Sequence, residues 1–301
     1  MRSHRRDRAA VSPLVSALAA GLIVAACASN ATLVPGGGVN VGEASALRNL
    51  VPAQQLNEAA DKQYGELLAK AQQAGLLAQP TDRQVKRLRA IHARLLPNVG
   101  RFNAASPQWG WQVNLIKSDQ INAFCMPGGK IAFYSGILDK LKLTDDEVAV
   151  VMGHEIAHAL REHGREQIAK NGLTQVGSEA AAAVIGGTAG ALVKQGAGLL
   201  SLKFSRDDET DADLVGLELT ARGGYDPRAG VSLWKKMAAA SGGAPMEWMS
   251  THPSSTTRIA EIERNLPAVL PLYEEAKRSA KTGNARRNPP SGPAAVPAPK
   301  V

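Results

Sequence analysis

Cysteine is nearly absent from this chain. Among 301 residues there are only Cys27 and Cys125, so a zinc site built on thiolates is excluded by count. Aromatic residues make up only 4%, against 44% hydrophobic residues in all, so the core must be mainly Ala, Val, Leu and Ile. No internal repeat is present, which removes a helical-repeat binding module. The body also lacks an excess of charge. The formal net charge is +8, but residues 1–27 carry +3 and residues 281–301 carry +4. That leaves +1 for the rest, and no nucleic-acid partner is inferred.

The N-terminus has the pattern of an export signal. Arg2, Arg5, Arg6 and Arg8 precede an apolar run from Val11 to Ala26. The run ends Val24-Ala25-Ala26-Cys27, which resembles the bacterial lipobox, with Cys27 as the lipidated residue and membrane anchor. Ala28 and Ser29 follow, with no aspartate at the second mature position. By resemblance to bacterial sorting rules this places the protein on the periplasmic face of the outer membrane. With Cys27 lipidated, Cys125 has no intrachain partner and the fold has no disulfide. Cys125 sits in an apolar run and reads as a buried, unreactive thiol.

The expected organisation is a signal peptide over 1–27, a tether over 28–45, a folded domain over 46–280, and a disordered Pro/Ala-rich tail over 282–301. Helices are expected over 46–78, 81–95, 206–222, 227–240 and 255–265, the last stopped by Pro267. Strands are expected at 111–116, 122–126 and 130–134, the last two joined by Pro127-Gly128-Gly129 as a hairpin. This is an α+β pattern, mostly helical with a small sheet. Residues 174–203 are small, apolar and glycine-rich. They read as a loose helical hairpin or a mobile cover, with no clean run of ~20 apolar residues for a membrane span.

One five-residue string carries chemistry. His154-Glu155-Ile156-Ala157-His158 matches the His-Glu-x-x-His pattern of zinc proteases. On a helix, positions four apart share a face, so both imidazoles reach one metal ion. Glu155 is then placed as the general base toward a water molecule. Thr144-Asp145-Asp146-Glu147 reads as a capping box, and Gly164 as the helix stop. The alternative is that both histidines are ordinary helix residues, which makes the glutamate and the helix frame coincidental.

Catalytic zinc usually has three protein ligands and an open position. A third histidine in the metzincin pattern would stand at 164, which is glycine, with a glycine at 161, which is arginine. His163 is five residues past His158, about 140° round the helix, and reads as a solvated histidine near a helix end. Glu179 lies 21 residues beyond His158, and Glu209 lies 51 beyond. Glu209 is preferred, because Asp213 is one turn further on and can accept a hydrogen bond from a ligating histidine. An acidic, solvated helix start is the plainer reading of 207–213.

Ser205-Arg206-x-x-Glu209-x-x-Ala212-Asp213 after His-Glu-x-x-His resembles the HtpX-like and CAAX-prenyl-protease-like zinc metallopeptidases, peptidase family M48. Asn122-Ala123-Phe124, Pro127-Gly128-Gly129-Lys130-Ile131, Gly224-Tyr225-Asp226-Pro227 and His252-Pro253 through Arg258-Ile259 resemble further segments of that family, in order. The resemblance spans residues 122 to 259. It implies a zincin-like (gluzincin) fold with one zinc ion and metalloendopeptidase activity. The lipobox and the lack of transmembrane helices resemble the family's soluble periplasmic branch, associated with quality control of unfolded or misassembled envelope proteins. It also implies that Lys130, Ile131, Ala132, Phe133 and Tyr134 form an exposed edge strand that pairs with substrate. His252 is placed near the metal, either assisting the oxyanion, filling the open zinc position, or serving the structure. Arg258 is placed either at the oxyanion or as an anchor for Asp213. The rival functional reading is a membrane-anchored assembly factor, chaperone-like, with latent protease activity.

Overall fold

Two acid-capped helices form the centre of the molecule, and each is capped by its own sequence. In the computed structural model, which describes residues 37–176, 198–240, 247–252 and 257–287, helix α4 runs Asp145–Leu160. Thr144 Oγ1 accepts from Glu147 N at 3.3 Å, and Glu147 Oε2 accepts from Thr144 N at 2.8 Å. That is the reciprocal capping box, with three acidic residues in the first turn facing the positive end of the helix dipole. Every residue from Glu147 to Leu160 is buried, as expected of a helix enclosed on all sides. Arg206–Arg222 repeats the device. Ser205 Oγ accepts from Asp208 N, and Asp208 Oδ2 accepts from Ser205 N at 2.8 Å.

In chain order the α-helices among the described residues are α1 (Ala53–Gln73), α2 (Arg83–Leu95), α3 (Ser135–Lys140), α4, α5 (His163–Val176), α6 (Arg206–Arg222), α7 (Ala229–Ala240), α8 (Glu247–Thr251) and α9 (Arg258–Arg287). The strands are β1 (Gln112–Ile116), β2 (Ala123–Met126) and β3 (Lys130–Tyr134). The architecture is therefore α+β, mostly helical with one small mixed sheet. Helices α4 and α6 pack closely, and α9 lies along α6. Two glycines set the closeness. A Cβ on Gly153 would stand 2.7 Å from Gly216 O, and one on Gly216 would stand 2.7 Å from His154 N. Only hydrogen fits at either position, so the backbones meet there.

The sheet corrects one expectation. Its order is β1-β3-β2, with β1 parallel and β2 antiparallel to β3. Lys130–Tyr134 is thus the central strand, buried from Lys130 to Phe133, and not an exposed edge. The hairpin pairs it with β2, while a crossover brings β1 to its other side. The edge strand that flanks α4 is β2.

Other boundaries differ too, among them the helix expected over 46–78, which is a short 3-10 helix at Ala46–Leu50 followed by α1 at Ala53–Gln73. Helix α9 continues through Pro267 and Pro271, where a stop was expected. The prolines are four apart and exposed, so each freed carbonyl faces water. Ile262, Val269 and Leu272 are buried on the opposite side and offset the lost hydrogen bonds. The helix runs to Arg287, which shortens the expected tail; residues 288–301 lie outside the described residues. The expected tether is docked from Gly37 onward. Val39 is buried and its N–H donates to Glu218 Oε2 at 2.7 Å, while Arg101 and Arg222 donate to Gly37 O. Cys27, Glu179 and most of 174–203 lie outside the described residues. Among those described, no helix is long and apolar enough to cross a membrane.

Candidate metal centre and active site

Helix α4 delivers two imidazoles to one point, as the four-residue spacing requires. His154 Nε2 and His158 Nε2 are 3.1 Å apart. Helix α6 brings Glu209 across the glycine contact. Its Oε2 is 3.6 Å from His154 Nε2, and its Oε1 is 3.5 Å from His158 Nε2. His252, just after α8, completes the cluster. One ligand atom from each of His154, His158, Glu209 and His252 lies within 4.8 Å of the others, and all four residues are buried.

The donor set suits a metal ion. Glu209 Oε1 and His252 Nε2 are buried with no hydrogen-bond partner. Such orphaned acceptors are costly in a low-dielectric interior, and one cation at the convergence point would answer both. Two or three imidazole nitrogens with a carboxylate match the nitrogen and oxygen preference of zinc.

The electrostatics agree. Burial, reinforced by the neighbouring histidines and Arg258, drives His158 and His252 well below the usual imidazole range, and burial lowers His154 despite its Asp213 contact. Neutral imidazole is the form that ligates. Burial pushes Glu209 up to about 9 against the pull of Arg258, with Asp213 and Glu155 adding to the rise. A carboxylate this disfavoured as a free anion gains most from a cation. Burial also pushes Glu155 up to about 8, opposed by Trp248 and Arg258.

Helix α9 supplies the anchor. Arg258 Nε and Nη2 donate to the two oxygens of Asp213 at 2.7 and 2.6 Å, and Arg258 Nη1 donates to Glu209. Burial opposes ionisation of Asp213, but Arg258 and His154 prevail and hold it at about 2. Asp213 Oδ1 then meets His154 Nδ1 at 3.1 Å, which fixes that ring with Nε2 toward the centre. The Arg258 guanidinium lies 3.8 Å over the Trp234 ring. These contacts tie Arg258 to Asp213 and Glu209.

Three groups escaped the sequence reading. Trp248 Nε1 donates to Glu155 Oε1 at 2.7 Å, and its ring stacks on His252 with centroids 4.7 Å apart. Phe204 stacks on His158 at 4.0 Å. No spacing rule marks either one. The third is His163, which is not solvated. Helix α4 ends at Leu160, and Glu162 takes a positive φ of 59°, before the expected stop at Gly164. The break redirects the chain, and His163 turns back to place Nδ1 3.0 Å from His158 Nδ1.

A cleft of about 260 Å³ opens beside the cluster. Glu155, His158 and His252 lie on one wall, and Asn122 through Met126 of the β2 region lie on another. Leu199, Leu202 and Phe204 contribute apolar surface. Lys130–Tyr134 reaches the cleft only through Tyr134.

Comparison with known proteins agrees with this geometry. The chain is 39% identical over 179 residues to the mitochondrial metalloendopeptidase OMA1 of Arabidopsis thaliana, covering 58% of this chain and 35% of that protein. It is 40% identical over 162 residues to the OMA1 protein of Schizosaccharomyces pombe, covering 52% and 47%. A third relative, the beta-barrel assembly-enhancing protease of Escherichia coli O157:H7, is 25% identical over 295 residues, covering 92% and 56%. The matches thus span only about a third to just over half of these relatives' lengths. The model of Peptidase family M48 matches residues 82–266, from the start of α2 into α9. That stretch is more than half of the chain and holds every member of the buried cluster, so this protein belongs to peptidase family M48.

Proposed function

We propose that the protein is a zinc-dependent metalloendopeptidase. His154, His158 and Glu209 hold the ion, Asp213 and Arg258 position those ligands, and Glu155 is the general base. The observation that carries this is the pair of orphaned acceptors, Glu209 Oε1 and His252 Nε2, inside one buried group of four ligand atoms. A zinc ion bound there would polarise the scissile carbonyl and acidify a water molecule.

Glu155 has the geometry of a proton carrier. Trp248 occupies its Oε1, which leaves Oε2 toward the cleft, 3.7 Å from His252 Nε2. Its raised affinity for protons brings it near the working range of a general base. Glu155 takes a proton from the attacking water and returns it to the leaving amine. The substrate lies extended along β2, which among the described residues has no strand paired on its outer side, and pairs through its backbone. This mode reads little side-chain sequence and suits unfolded or misassembled envelope proteins. The finer assignment to the periplasmic face of the outer membrane rests on the export pattern and on Cys27. The Escherichia coli relative is named a beta-barrel assembly-enhancing protease, in keeping with that reading.

A second reading is favoured by His252. Its Nδ1 faces Trp248 O at 3.2 Å and Thr251 Oγ1 at 2.9 Å, which leaves Nε2 as a lone pair aimed at the cluster. Held there, it is a fourth ligand that closes the site, and the protein is a latent protease or a chaperone-like assembly factor. The test is cleavage of an unfolded protein by zinc-loaded enzyme. Glu155→Gln is expected to keep zinc and lose cleavage by about 10²- to 10⁴-fold; full cleavage would overturn the mechanism. His252→Ala cleaving faster than wild type would establish latency, and slower cleavage would make His252 an assisting group.

A further inference from the structure

The two ligating histidines are supported differently. His154 Nδ1 meets a carboxylate, Asp213, directly. His158 Nδ1 meets no carboxylate; it meets another imidazole, His163 Nδ1, at 3.0 Å. His163 Nε2 in turn lies 3.0 Å from Asp211 Oδ2, and Asp211 Oδ2 also accepts from Arg161 Nε. Arg161 Nη2 donates to Gly42 O at 2.6 Å, in the docked N-terminal strap. We propose that His163 is a positioning residue for the zinc site, relaying Asp211 to His158 as Asp213 serves His154 directly.

The proton arrangement follows from the partners. His158 Nε2 faces Glu209 and His154, so it must carry the lone pair that ligates. Its proton is then on Nδ1 and is donated to His163 Nδ1. His163 therefore carries its own proton on Nε2 and donates it to Asp211, which has only acceptors when ionised. One orientation of two neutral rings satisfies all four nitrogens. Asp211 suits the end of this chain, because Arg161 Nε donates to the same carboxylate oxygen that faces His163 Nε2. His163 is itself buried and beside Phe204, with ring centroids 6.3 Å apart, so water does not replace it. Helix α6 thus serves both rings, through Asp213 on one and Asp211 on the other. The short break at Arg161 and Glu162 gains a purpose. A continuous helix would carry residue 163 round to the far side of α4.

The inference rests on the zinc reading above, and the experiment separates the two. Zinc affinity is measured on the full chain by competition with a chromophoric chelator, with melting of the metal-free protein as a control. His163→Phe keeps an aromatic ring in the pocket and removes the relay; the expected zinc dissociation constant is roughly 10- to 100-fold higher, with little change in metal-free melting. His163→Gln keeps a donor and an acceptor and is expected to recover most of the affinity. Should His163→Phe fail to fold, Asp211→Asn keeps the shape, removes the charge, and is expected to weaken zinc binding about tenfold. Wild-type affinity in His163→Phe, or in Asp211→Asn where that variant decides, would overturn the relay. A wild-type chain that binds no zinc would overturn the zinc site and the relay with it.

Discussion

Two buried histidines in this molecule, His92 and His158, have the same residue type, the same kind of host element and opposite roles. Both lie on helices, and both are pushed below the ordinary imidazole range first of all by burial. His92 on α2 faces Trp111 at 5.5 Å, and its Nε2 has no partner. No carboxylate joins it in a metal-binding group among the described residues. His158 on α4 has His154 and Glu209 on one nitrogen and His163 on the other. Burial therefore makes a neutral histidine, and only convergence makes a site. The convergence comes from α6, whose Glu209, Asp211 and Asp213 all reach the histidine cluster.

The comparison can be broken in three ways beyond the substitutions above. The largest effect is expected from metal. Zinc at a thousand times its dissociation constant should stabilise the fold by ~4 kcal/mol, and chelation should remove this. His92→Gln should leave that increment unchanged, whereas Glu209→Ala should abolish it, as read by thermal melting with and without chelator.

The next effect is acid sensitivity at His92. Its folded pKa is lowered from 6.5 to about 4 by burial. The unfolded chain therefore binds a proton first as pH falls. The stability is fully present above pH 6.5 and is lost progressively down to about pH 4, by roughly 3 kcal/mol. Denaturant melts of metal-free protein at pH 7.5 and pH 4.5 should show the loss. It should shrink in His92→Gln; an unchanged loss would assign the acid sensitivity to other groups.

The smallest effect lies under the site. Gly216→Ala forces a methyl group against His154 N and should cost roughly 1–3 kcal/mol, together with weaker zinc binding, because α6 carries Glu209. A matched overpacking change near His92 should cost stability without touching zinc. Equal zinc affinity in Gly216→Ala would show that the helix contact does not set the ligand geometry.

Local signals are legible in the sequence. The capping box at Thr144 and the bounds of α6 follow from residues within one turn of each other. The pairing of His154 with His158, and of Glu209 with Asp213, follows from helix spacing alone. What was missed depends on distant partners. The central position of β3 is decided by β1, and nothing in Lys130–Tyr134 marks it. Helix α9 survives two prolines because of its packing on α6. Trp248 reaches Glu155 across 93 positions, and Val39 reaches Glu218 across 179. The position of His163 is not legible, because one non-glycine residue, Glu162, adopts a left-handed conformation. Sequence patterns seldom reveal that.

The most direct measurement is the zinc content of the purified protein beside its Glu209→Gln and His92→Gln variants. One zinc per chain is predicted for wild type and His92→Gln, and strongly reduced zinc for Glu209→Gln. Full zinc retention in Glu209→Gln would contradict the assignment of His154, His158 and Glu209 as the metal centre.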